Sequence, residues 1–589
     1  MRYKMIANDL KKIIQDALKN LDIHVEDISL EHPAELIHGD YSTNVALVCA
    51  KSAKQNPKEL AQKIVDDELL KNKPKEIEKI ELAGPGFINF YLSKEFFAQS
   101  VKEIHSAQKW GSNNSSSGKK VMVEYTDPNP FKPFHIGHLM TNAIGESIAR
   151  IFEYSGAEVV RANYQGDVGL HVAKAIWAIL GSKKRNDRDY LQALKDSPEK
   201  AAQYIGYEYT TGSLNYDTND VTTPGNTAKE EINIINKKIY EKSDLEINDI
   251  YEWGKEVTLK AFETIYKTLG TKFSPNCYFF ESIMAPIGKK VVQENTGKVF
   301  EESDGAIVFK AENYNPKLHT RVFITKQGLP TYEAKEIGLT ITKFTQENPD
   351  TSIVVTAIEQ GPYMEVVQKA LSLIHPEYES RMKHVTHGMM RFAFGKMSSR
   401  KGNVITGESL LNDSYELVHE KIAERELNDD QKNIIAHQVG VAAIKYTILK
   451  QALGGNIIYD EEKSVSFEGD SGPYLQYTAV RSHSIIEKAH KEGMQSSVEL
   501  PQNWEMTTLE KYLYRFPEVV LLAYQKLEPH GIATYLSELA STFNSFYAHQ
   551  QIIDKNDVAS PYRIALVEAF LKTMQNGLYL LGISVPEKM

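Results

Sequence analysis

The stretch from VMVEYT to EVVRANY constrains the fold more than any other part of the chain. VMVEYT predicts a strand, and the proline-rich TDPNPFKPFHIGH that follows predicts a loop. Apolar residues then recur at helical spacing from Leu139 to Ile151, before EVVRANY predicts the next strand. Strand, loop, helix and strand make a βαβ unit, which implies a parallel sheet that binds ligands at the carboxyl ends of its strands.

The parallel-sheet pattern resumes after a polar interval. RVFIT, SIVVTAI and HVTHGMM, all within residues 320–395, predict further strands of this Rossmann-like sheet. Residues 181–255 are rich in Lys, Asn, Asp and Tyr and lack a strand pattern, so we expect a largely helical insertion there. The predicted centre of the chain is therefore an α/β domain with a Rossmann-like parallel sheet over residues 119–425.

Two further domains are predicted to flank this sheet, because 589 residues are too many for one hydrophobic core. Residues 1–110 combine helical patterns with EKIELAGPGFINFYL, which predicts two strands around a Gly-Pro-Gly turn in an α+β domain. The polar segment GSNNSSSG at 111–118 predicts a flexible linker. Residues 430–589 have helical periodicity and predict an all-α domain.

Composition excludes several classes of protein. The 42% hydrophobic and 25% charged residues are typical of a soluble globular chain. Cys49 and Cys277 have no CxxC or Cys/His spacing, so neither a disulfide framework nor a zinc site is predicted. A net charge of -10 argues against nonspecific coating of nucleic acid. Because no long apolar run occurs and the amphipathic N-terminus carries acids, we expect a cytoplasmic protein without a membrane partner.

The HIGH motif is the first candidate for chemistry. His135 and His138 lie where a loop opens a helix, so both imidazoles can present N–H groups to a phosphate beside the positive end of the helix dipole. Gly137 leaves room for ATP against the backbone. Activation of a carboxylate by ATP needs such donors to stabilise charge on the α-phosphate and on the departing pyrophosphate. The alternative is a pair of surface histidines without a ligand.

The KMSSR motif is the second candidate. Lys396 and Arg400 enclose Met397, Ser398 and Ser399 in a compact, donor-rich loop that is suited to gripping a triphosphate. The alternative is a solvated run of charge. Because both motifs occur, each beside a parallel-strand pattern, the sequence predicts nucleotidyl transfer from ATP. The two cations of KMSSR and the two histidines of HIGH are the predicted catalytic groups.

The longer motifs resemble those of one family. VEYTDPNPFKPFHIGHL, NYQGDVG, LPTYEAKEIG, KMSSRKGNVI and GPYLQYTAVR occur in the order found in arginyl-tRNA synthetases, and the resemblance to this class I family covers essentially the whole chain. GDYSTN and AGPGFINFYL resemble its N-terminal domain, and LLGISVPEKM resembles its carboxyl end. The helical domain is similar to the anticodon-binding bundle named for an Asp-Ala-Leu-Arg signature, which is Thr478-Ala479-Val480-Arg481 here.

The resemblance implies an activity and its partners. ATP with Mg²⁺ activates L-arginine to arginyl-adenylate, and the arginyl group passes to the 2′-hydroxyl of the terminal adenosine of tRNA(Arg). Activation before tRNA binds is not expected, and we expect a monomer without zinc. Guanidinium is a planar cation with five donors, so its pocket should offer carboxylates and neutral acceptors. The family's arginine-binding positions, two acids and no base, are Glu124, Asn129, Tyr332, Glu336 and Gln360.

Some positions depart from the family pattern. Glu336 replaces the usual Asp and is one methylene longer. Val168 stands where Trp is common, and AIEQGPYM lacks paired histidines, in the region where the resemblance places ribose and adenine contacts around Asp167, Glu359 and Gln360. The loop cation Arg400 replaces a second Lys, a change that preserves charge and that arginine-specific members share.

Contacts to tRNA are expected in both flanking domains. A splayed anticodon loop is bound by aromatic faces and hydrogen-bonding groups rather than by bulk charge. The alternative is that these side chains pack the domain cores. The candidates are Asn44, Phe87, Tyr474, Gln476, Tyr477 and Arg481.

Three other functions compete with this hypothesis. An HxGH nucleotidylyltransferase uses the same ATP chemistry but is much smaller and needs no helical C-terminal domain. A class I synthetase for lysine, cysteine or glutamate would not need this set of acids and acceptors. A catalytically silent tRNA-binding protein is disfavoured by intact His135, His138, Lys396 and Arg400.

Overall fold

The N-terminal part of the chain is a mixed α+β region. The computed structural model describes residues 6–183, 194, 196–217, 227–393 and 406–589. The first elements are α1 (Ile6–Asn20), β1 (Tyr41–Thr43), α2 (Val45–Ala53), α3 (Pro57–Ile64), β2 (Ile77–Ala83), β3 (Phe87–Leu92) and α4 (Lys94–Ser106). β2 and β3 pair antiparallel across the Gly-Pro-Gly turn, and β1 adds to β3. The two predicted strands are therefore confirmed.

The predicted linker at 111–118 holds fixed contacts. Ser116 is only 3% exposed. Its backbone N–H donates to the Ser155 carbonyl at 2.8 Å, and its hydroxyl donates to the Tyr524 hydroxyl at 2.8 Å. The expectation of a flexible segment is therefore wrong at Ser116, because these bonds anchor the chain just before the central sheet.

A parallel sheet carries the predicted βαβ unit. It begins with β4 (Lys120–Glu124), α5 (Ile136–Tyr154) and β5 (Glu158–Gln165). β4 and β5 are parallel, with Lys120 opposite Glu158 and Glu124 opposite Ala162. Val121, Met122 and Val123 on β4 are at most 2% exposed, as expected for a parallel strand that is covered on both faces.

Helices follow β5 where an insertion was expected, and the chain then returns to the sheet. The helices are α6 (Leu170–Lys183), α7 (Pro198–Asp217), α8 (Thr227–Glu241) and α9 (Leu245–Leu269). The next elements are β6 (Tyr278–Phe280), α10 (Glu281–Glu294), β7 (Glu301–Ser303), β8 (Ala306–Phe309), β9 (Arg321–Ile324), α11 (Tyr332–Glu347), β10 (Thr351–Ala357), α12 (Gly361–Ile374), β11 (Met382–His387) and β12 (Met390–Phe392). The parallel sheet has the order β11-β10-β4-β5-β6, so β4 is its central strand.

Two of the three later strand predictions hold for this sheet. SIVVTAI supplies β10 and HVTHGMM supplies β11, which run parallel with Ile353 opposite Lys383. RVFIT supplies β9 instead to a separate antiparallel sheet of order β7-β8-β9. The prediction for RVFIT was wrong because a short apolar run specifies a strand but not its partner. The tight β7–β8 hairpin, with Ser303 opposite Ala306, supplies that partner.

The C-terminal part is mostly helical, as predicted. Its helices are α13 (Gly407–Lys421), α14 (Asp429–Leu449), α15 (Glu461–Ser464), α16 (Gly472–Lys491), α17 (Thr508–Leu513), α18 (Phe516–Lys526), α19 (His530–His549) and α20 (Ser560–Leu580). One short strand, β13 (Ile457–Tyr459), pairs parallel with β12. Within the described ranges, no helix combines the length and the apolar character needed to cross a membrane.

Packing divides the chain into two compact units. The first comprises Met1–Asn113, Tyr477–Leu522 and Thr534–Gly577, and the second comprises Asn114–Gln476, Ala523–Ala533 and Leu578–Met589. In the first unit, Tyr514 joins the core formed by α1–α4 and β1–β3. The boundaries expected from the sequence, at 1–110, 119–425 and 430–589, stay a prediction.

The crossing of α10 and α11 depends on two glycines. A Cβ on Gly288 would lie 1.7 Å from the Ala334 carbonyl oxygen, and one on Gly338 would lie 2.3 Å from the Met284 carbonyl oxygen. Any side chain at either position forces the helix backbones apart. This close approach fixes the position of α11, which carries two of the candidate ligands, Tyr332 and Glu336.

We expect Gly288→Ala to lower the free energy of unfolding by about 1–3 kcal/mol, because overpacking a tight contact shifts its backbones. Gly181→Ala on α6 is the control, since a Cβ there meets nothing within 4 Å. It should be neutral or stabilising by about 0.5–1 kcal/mol, the difference in helix propensity. Urea unfolding measures both, and equal stability of the two variants would contradict the close crossing.

Candidate active site

Helix α5 begins at the two histidines of HIGH, and they cap it. The Nδ1 atom of His135 accepts a hydrogen bond from the His138 backbone N–H at 3.4 Å. In return, Nδ1 of His138 accepts the His135 backbone N–H at 3.2 Å. The rings stack with their centroids 3.4 Å apart. The pair forms a capping box made of imidazoles, which satisfies two backbone donors at the helix N-terminus.

The capping bonds fix the protonation state of both rings. A ring nitrogen that accepts a backbone N–H carries no proton, so each neutral imidazole carries its proton on Nε2. Burial lowers the pKa of His135 to about 4 and holds the pKa of His138 well below its ordinary value, and the charge of Lys132 acts in the same direction. Near neutral pH both rings are therefore uncharged Nε2–H donors.

Lys132 is a cation at this site that the sequence analysis missed. It lies in the loop before α5, and its charge helps to lower the pKa of His135, His138 and His171. Its Nζ stands 5.5 Å from the ring centroid of Tyr209. The signal was its position three residues before HIGH, where a positive charge adds to the field of the helix N-terminus.

The loop after β4 is strained and points toward β5. Thr126 and Asp127 have positive φ angles of 79° and 45°, which β-branched residues such as Thr rarely adopt. Oδ1 of Asp127 accepts the Tyr164 backbone N–H at 2.7 Å. Oδ1 of Asn129, a predicted arginine ligand, accepts the Gly166 backbone N–H at 3.0 Å. These bonds to the end of β5 hold the loop in its strained conformation.

Glu124 and Glu336, two predicted arginine ligands, belong to one buried cluster. Glu124 ends β4 and is 2% exposed, while Glu336 on α11 is 6% exposed. Lys343, two turns further along α11, donates from Nζ to Oε2 of Glu124 at 2.8 Å. Oε1 of Glu336 is buried and has no hydrogen-bond partner among the described residues. Lys343 therefore adds a base beside two of the predicted ligands, one that the sequence analysis did not name.

The charges of this cluster act on one another. Burial first, and the charge of Glu124 second, raise the pKa of Glu336 to about 7, and Lys343 opposes that rise. Burial and the charge of Glu124 also raise the pKa of Asp127 well above its ordinary value. The opposing carboxylates keep Lys343 protonated, with its pKa raised despite burial. The cluster therefore combines one charged lysine with acids whose pKa values are raised by burial and by one another's charge.

The two other predicted arginine ligands are exposed. Tyr332 begins α11 and is 69% exposed, and Gln360 lies just before α12 at the surface. Tyr363 on α12, which the sequence analysis missed, donates from its hydroxyl to the Tyr332 carbonyl at 3.4 Å. Burial and then the charge of Glu336 raise the pKa of Tyr363. Tyr363 thus bonds to the exposed start of α11 and lies close enough to Glu336 for the charge of that acid to act on it.

A second buried ion pair joins α10 to α11. Glu281 and Lys335 are 3% and 7% exposed and bond directly to each other. Nζ of Lys335 stands 5.1 Å from the ring centroid of Tyr332. Lys335 therefore places a cation beside a predicted arginine ligand, and its charge is balanced by Glu281.

Asp167 is committed to the protein interior. It is 0% exposed. Its Oδ2 accepts from Nζ of Lys255 at 2.6 Å, from the Tyr251 hydroxyl at 2.9 Å and from the Ser282 hydroxyl at 2.7 Å, and its Oδ1 accepts the Ser282 backbone N–H at 2.8 Å. These bonds join the end of β5 to α9 and α10. Asp167 therefore holds these three elements together, in the region where the sequence analysis expected contacts to ribose and adenine.

The KMSSR motif lies outside the described residues, so its predicted ligands Lys396, Met397, Ser398, Ser399 and Arg400 stay a prediction. The chain is described again from Thr406, which forms a β-bridge with His135. The Gly407 backbone N–H donates to the Phe134 carbonyl at 2.8 Å. The chain at Thr406 and Gly407 is therefore held beside HIGH.

The expected tRNA contacts are placed in different environments. Phe87 is 39% exposed, whereas Oδ1 of Asn44 is buried at the start of α2. Gln476 is 0% exposed, and its amide donates to the Gln438 carbonyl at 3.3 Å and to the Ser584 carbonyl at 2.6 Å. Gln476 is a structural residue, which corrects the expectation that it contacts RNA.

The remaining candidates lie on α16. Tyr474 and Tyr477 are partly buried. The Arg481 guanidinium stands 4.8 Å from the Tyr477 ring centroid and 5.8 Å from that of Tyr547, and it donates to Asn544 at 3.0 Å. Arg481 is thus held between the rings of Tyr477 and Tyr547, and its contact with RNA stays a prediction.

No group of three His, Cys, Asp or Glu side chains that could hold a metal ion occurs in the part of the chain that the structure describes. Cys49 and Cys277 are both buried free thiols. Burial raises the pKa of the Cys277 thiol to about 11, so it is not a reactive thiolate.

Three family models match the chain in succession. Residues 8–92 match the arginyl tRNA synthetase N terminal domain, residues 100–460 match the catalytic domain of the class I (R) tRNA synthetases, and residues 475–589 match the DALR anticodon binding domain. Together these models span almost the whole length of the chain.

Curated relatives match over nearly their full length. The chain is 31% identical over 593 residues to an arginine–tRNA ligase of Clostridium perfringens, covering 99% of this chain and 100% of the relative. It is 30% identical over 581 residues to one of Halothermothrix orenii, covering 96% and 97%. The Thermus thermophilus arginyl-tRNA synthetase structure shares the fold, with a TM-score of 0.78, 23% identity and coverage of 99% and 100%.

The low pKa values at this site make stability depend on pH. Burial, followed by the charge of Lys132, lowers the pKa of His171 to about 3, and its ring bonds the Gly166 carbonyl at 2.8 Å. An unfolded histidine titrates near pH 6.5, so below that pH the unfolded chain binds more protons and stability falls as the pH is lowered toward 3.

We expect His171→Gln, which keeps an N–H donor, to make this pH dependence shallower by about one proton. The free energy of unfolding in urea at pH 5 and pH 7.5 measures it. His24→Gln, at an exposed histidine, is the control. An unchanged slope in His171→Gln would show that His171 is not held neutral.

Proposed function

We propose, from its membership of the arginyl-tRNA synthetase family of class I tRNA synthetases, that this chain charges tRNA(Arg) with arginine. The carboxylate of L-arginine attacks the α-phosphate of ATP, pyrophosphate leaves, and arginyl-adenylate forms. The 2′-hydroxyl of the terminal adenosine of tRNA(Arg) then attacks the activated carbonyl, and AMP leaves. The observation that carries this proposal is the likeness to arginine–tRNA ligases over 99% of the chain.

His135 and His138 serve the first step in this proposal. As neutral Nε2–H donors at the N-terminus of α5, they stabilise the charge that builds up on the α-phosphate and on pyrophosphate. Gly137 between them lets the nucleotide approach the backbone. Lys132 adds a positive charge on the same side of the helix.

The Lys396–Arg400 loop, with Met397, Ser398 and Ser399, binds the triphosphate. Support comes from Thr406, which follows this loop in the chain and forms a β-bridge with His135. Mg²⁺ enters with ATP as the substrate complex. The Lys396 ammonium and the Arg400 guanidinium share the neutralisation of pyrophosphate with that ion.

Arginine binds with its guanidinium at the buried acids. Glu124 and Glu336 offer carboxylates, and Oε1 of Glu336 is a free acceptor. Asn129, Tyr332 and Gln360 complete the ligand set as neutral groups around the rest of the amino acid. We infer that tRNA contacts Arg481 and Tyr477, with Tyr474, Asn44 and Phe87 as further contacts.

The working form is proposed to be a cytoplasmic monomer that activates arginine only when tRNA is bound. Light scattering tests the monomer, and pyrophosphate exchange with and without tRNA tests the coupling.

The assay that tests the function is charging of tRNA(Arg) with each of the twenty amino acids. We expect an ATP-dependent arginyl-tRNA product and no other comparable product. A protein that charges lysine, or that forms no aminoacyl-tRNA, would contradict the proposal.

We expect His138→Asn to lower the rate of adenylation by about 10²–10³ with little change in KM, because the lost donor acts in the transition state. Asn retains an acceptor where Nδ1 caps the helix but provides no donor at Nε2. His138→Gln, which places an amide N–H near Nε2, should retain more activity. Pyrophosphate exchange with saturating tRNA measures both, and a loss confined to KM would refute the donor role.

We expect Glu336→Gln to lower kcat/KM for arginine on the order of 10²-fold, because a buried charge partner of the guanidinium is lost. Glu336→Asp restores the family's usual residue and should stay within about tenfold of the parent chain. The KM for ATP is the internal control. If Glu336→Gln binds arginine normally, Glu336 is not a ligand.

A further inference from the structure

Lys343 is a buried cation for which the proposed function has no role. Its side chain is 1% exposed and that of its partner Glu124 is 2% exposed. Removing a lysine ammonium from water is unfavourable unless a specific partner repays the cost. A lysine kept at this depth, in a pocket expected to bind a cation, needs a reason.

The position of Lys343 leaves a defined set of acceptors. Its Nζ donates to Oε2 of Glu124 at 2.8 Å, which is the one hydrogen bond that the Glu124 side chain makes within the described residues. Oε1 of Glu336, by contrast, is fully buried and has no hydrogen-bond partner within the described residues. Glu336 and Lys343 also line one cavity, together with Thr340, Ser352 and Gln368. One carboxylate is thus held in place and its neighbour is left open.

We propose that Lys343 is a positioning residue of the arginine site, which holds the Glu124 carboxylate in place so that a guanidinium is shared between Glu124 and Glu336. This inference rests on the proposed function and extends it. Lys343 does not touch the substrate and acts through Glu124. It also explains why a pocket with several acids accepts one substrate cation, because the first cation is already built in.

The charges around the pair decide the sign of the effect. The acids near the pair are Asp127, after β4, and Glu336, on α11. The tyrosines are Tyr164 on β5 and Tyr363 on α12, and the second lysine is Lys383 on β11. With Glu124, the acidic side chains outnumber the two lysines. Without Lys343, a buried carboxylate that faces other acids takes up a proton. The proton then replaces the positive charge of the Lys343 ammonium. The pocket therefore loses an ionised hydrogen-bond acceptor and does not become more negative.

The experiment compares Lys343→Met with Lys343→Arg in the full-length chain by arginine-dependent charging between pH 6 and pH 9. For Lys343→Met we expect the KM for arginine to rise about tenfold or more at pH 7, with kcat and the KM for ATP little changed. The acid limb of kcat/KM for arginine should move to higher pH by about one unit or more. Lys343→Arg keeps the charge and should restore most of the loss.

A double variant separates positioning from folding. Glu124→Gln with Lys343→Met removes both charges and should recover the thermal stability that Lys343→Met loses, but not the KM for arginine. If Lys343→Met folds and keeps both the KM for arginine and the acid limb of the parent chain, the inference is wrong. The inference is also wrong if the double variant recovers the KM. A parent chain that charges no arginine contradicts the proposed function instead.

Discussion

The buried ion pair between Glu124 and Lys343 joins the central strand of the parallel sheet to helix α11. Both side chains are almost wholly removed from water, so removal of either one would leave a buried, unpaired charge and would lower stability. The pair fixes the end of β4, and the strained loop that follows carries Asp127 and Asn129 to the end of β5. The same loop leads into α5, so the proposed amino-acid pocket and the two histidines of HIGH share one support.

The histidines at α5 and the acids at α11 differ in charge and suit different parts of the substrates. At α5, burial keeps His135 and His138 neutral, and the capping bonds direct their protons to Nε2, which suits donors to phosphate. At α11, Oε1 of Glu336 is a buried oxygen without a hydrogen-bond partner among the described residues. In the proposed complex the arginine carboxylate reaches the α-phosphate at the histidines while its guanidinium lies at the acids.

Sequence patterns predicted the elements well where hydrophobic period decides them. The βαβ unit, the strands SIVVTAI and HVTHGMM and the C-terminal helices follow from apolar spacing, and HIGH was predicted to open a helix. RVFIT was assigned to the wrong sheet, because a strand's partner depends on distant residues. Gln476 was misjudged for a similar reason, since its amide is used by backbone carbonyls brought from elsewhere in the chain.

Lys343 was missed although a signal existed. Glu336, Thr340 and Lys343 are spaced four and three residues apart, which puts them on one face of a helix. Only the structure shows that this face is buried against β4. The reciprocal capping by two histidines likewise depends on ring orientation, which spacing does not specify.

A crystal structure with bound arginine and tRNA would locate the guanidinium. We expect it within hydrogen-bond distance of Glu124 and of Oε1 of Glu336, with Nζ of Lys343 still bonded to Oε2 of Glu124. A guanidinium that binds away from these two acids, or that displaces Lys343 from Glu124, would contradict it.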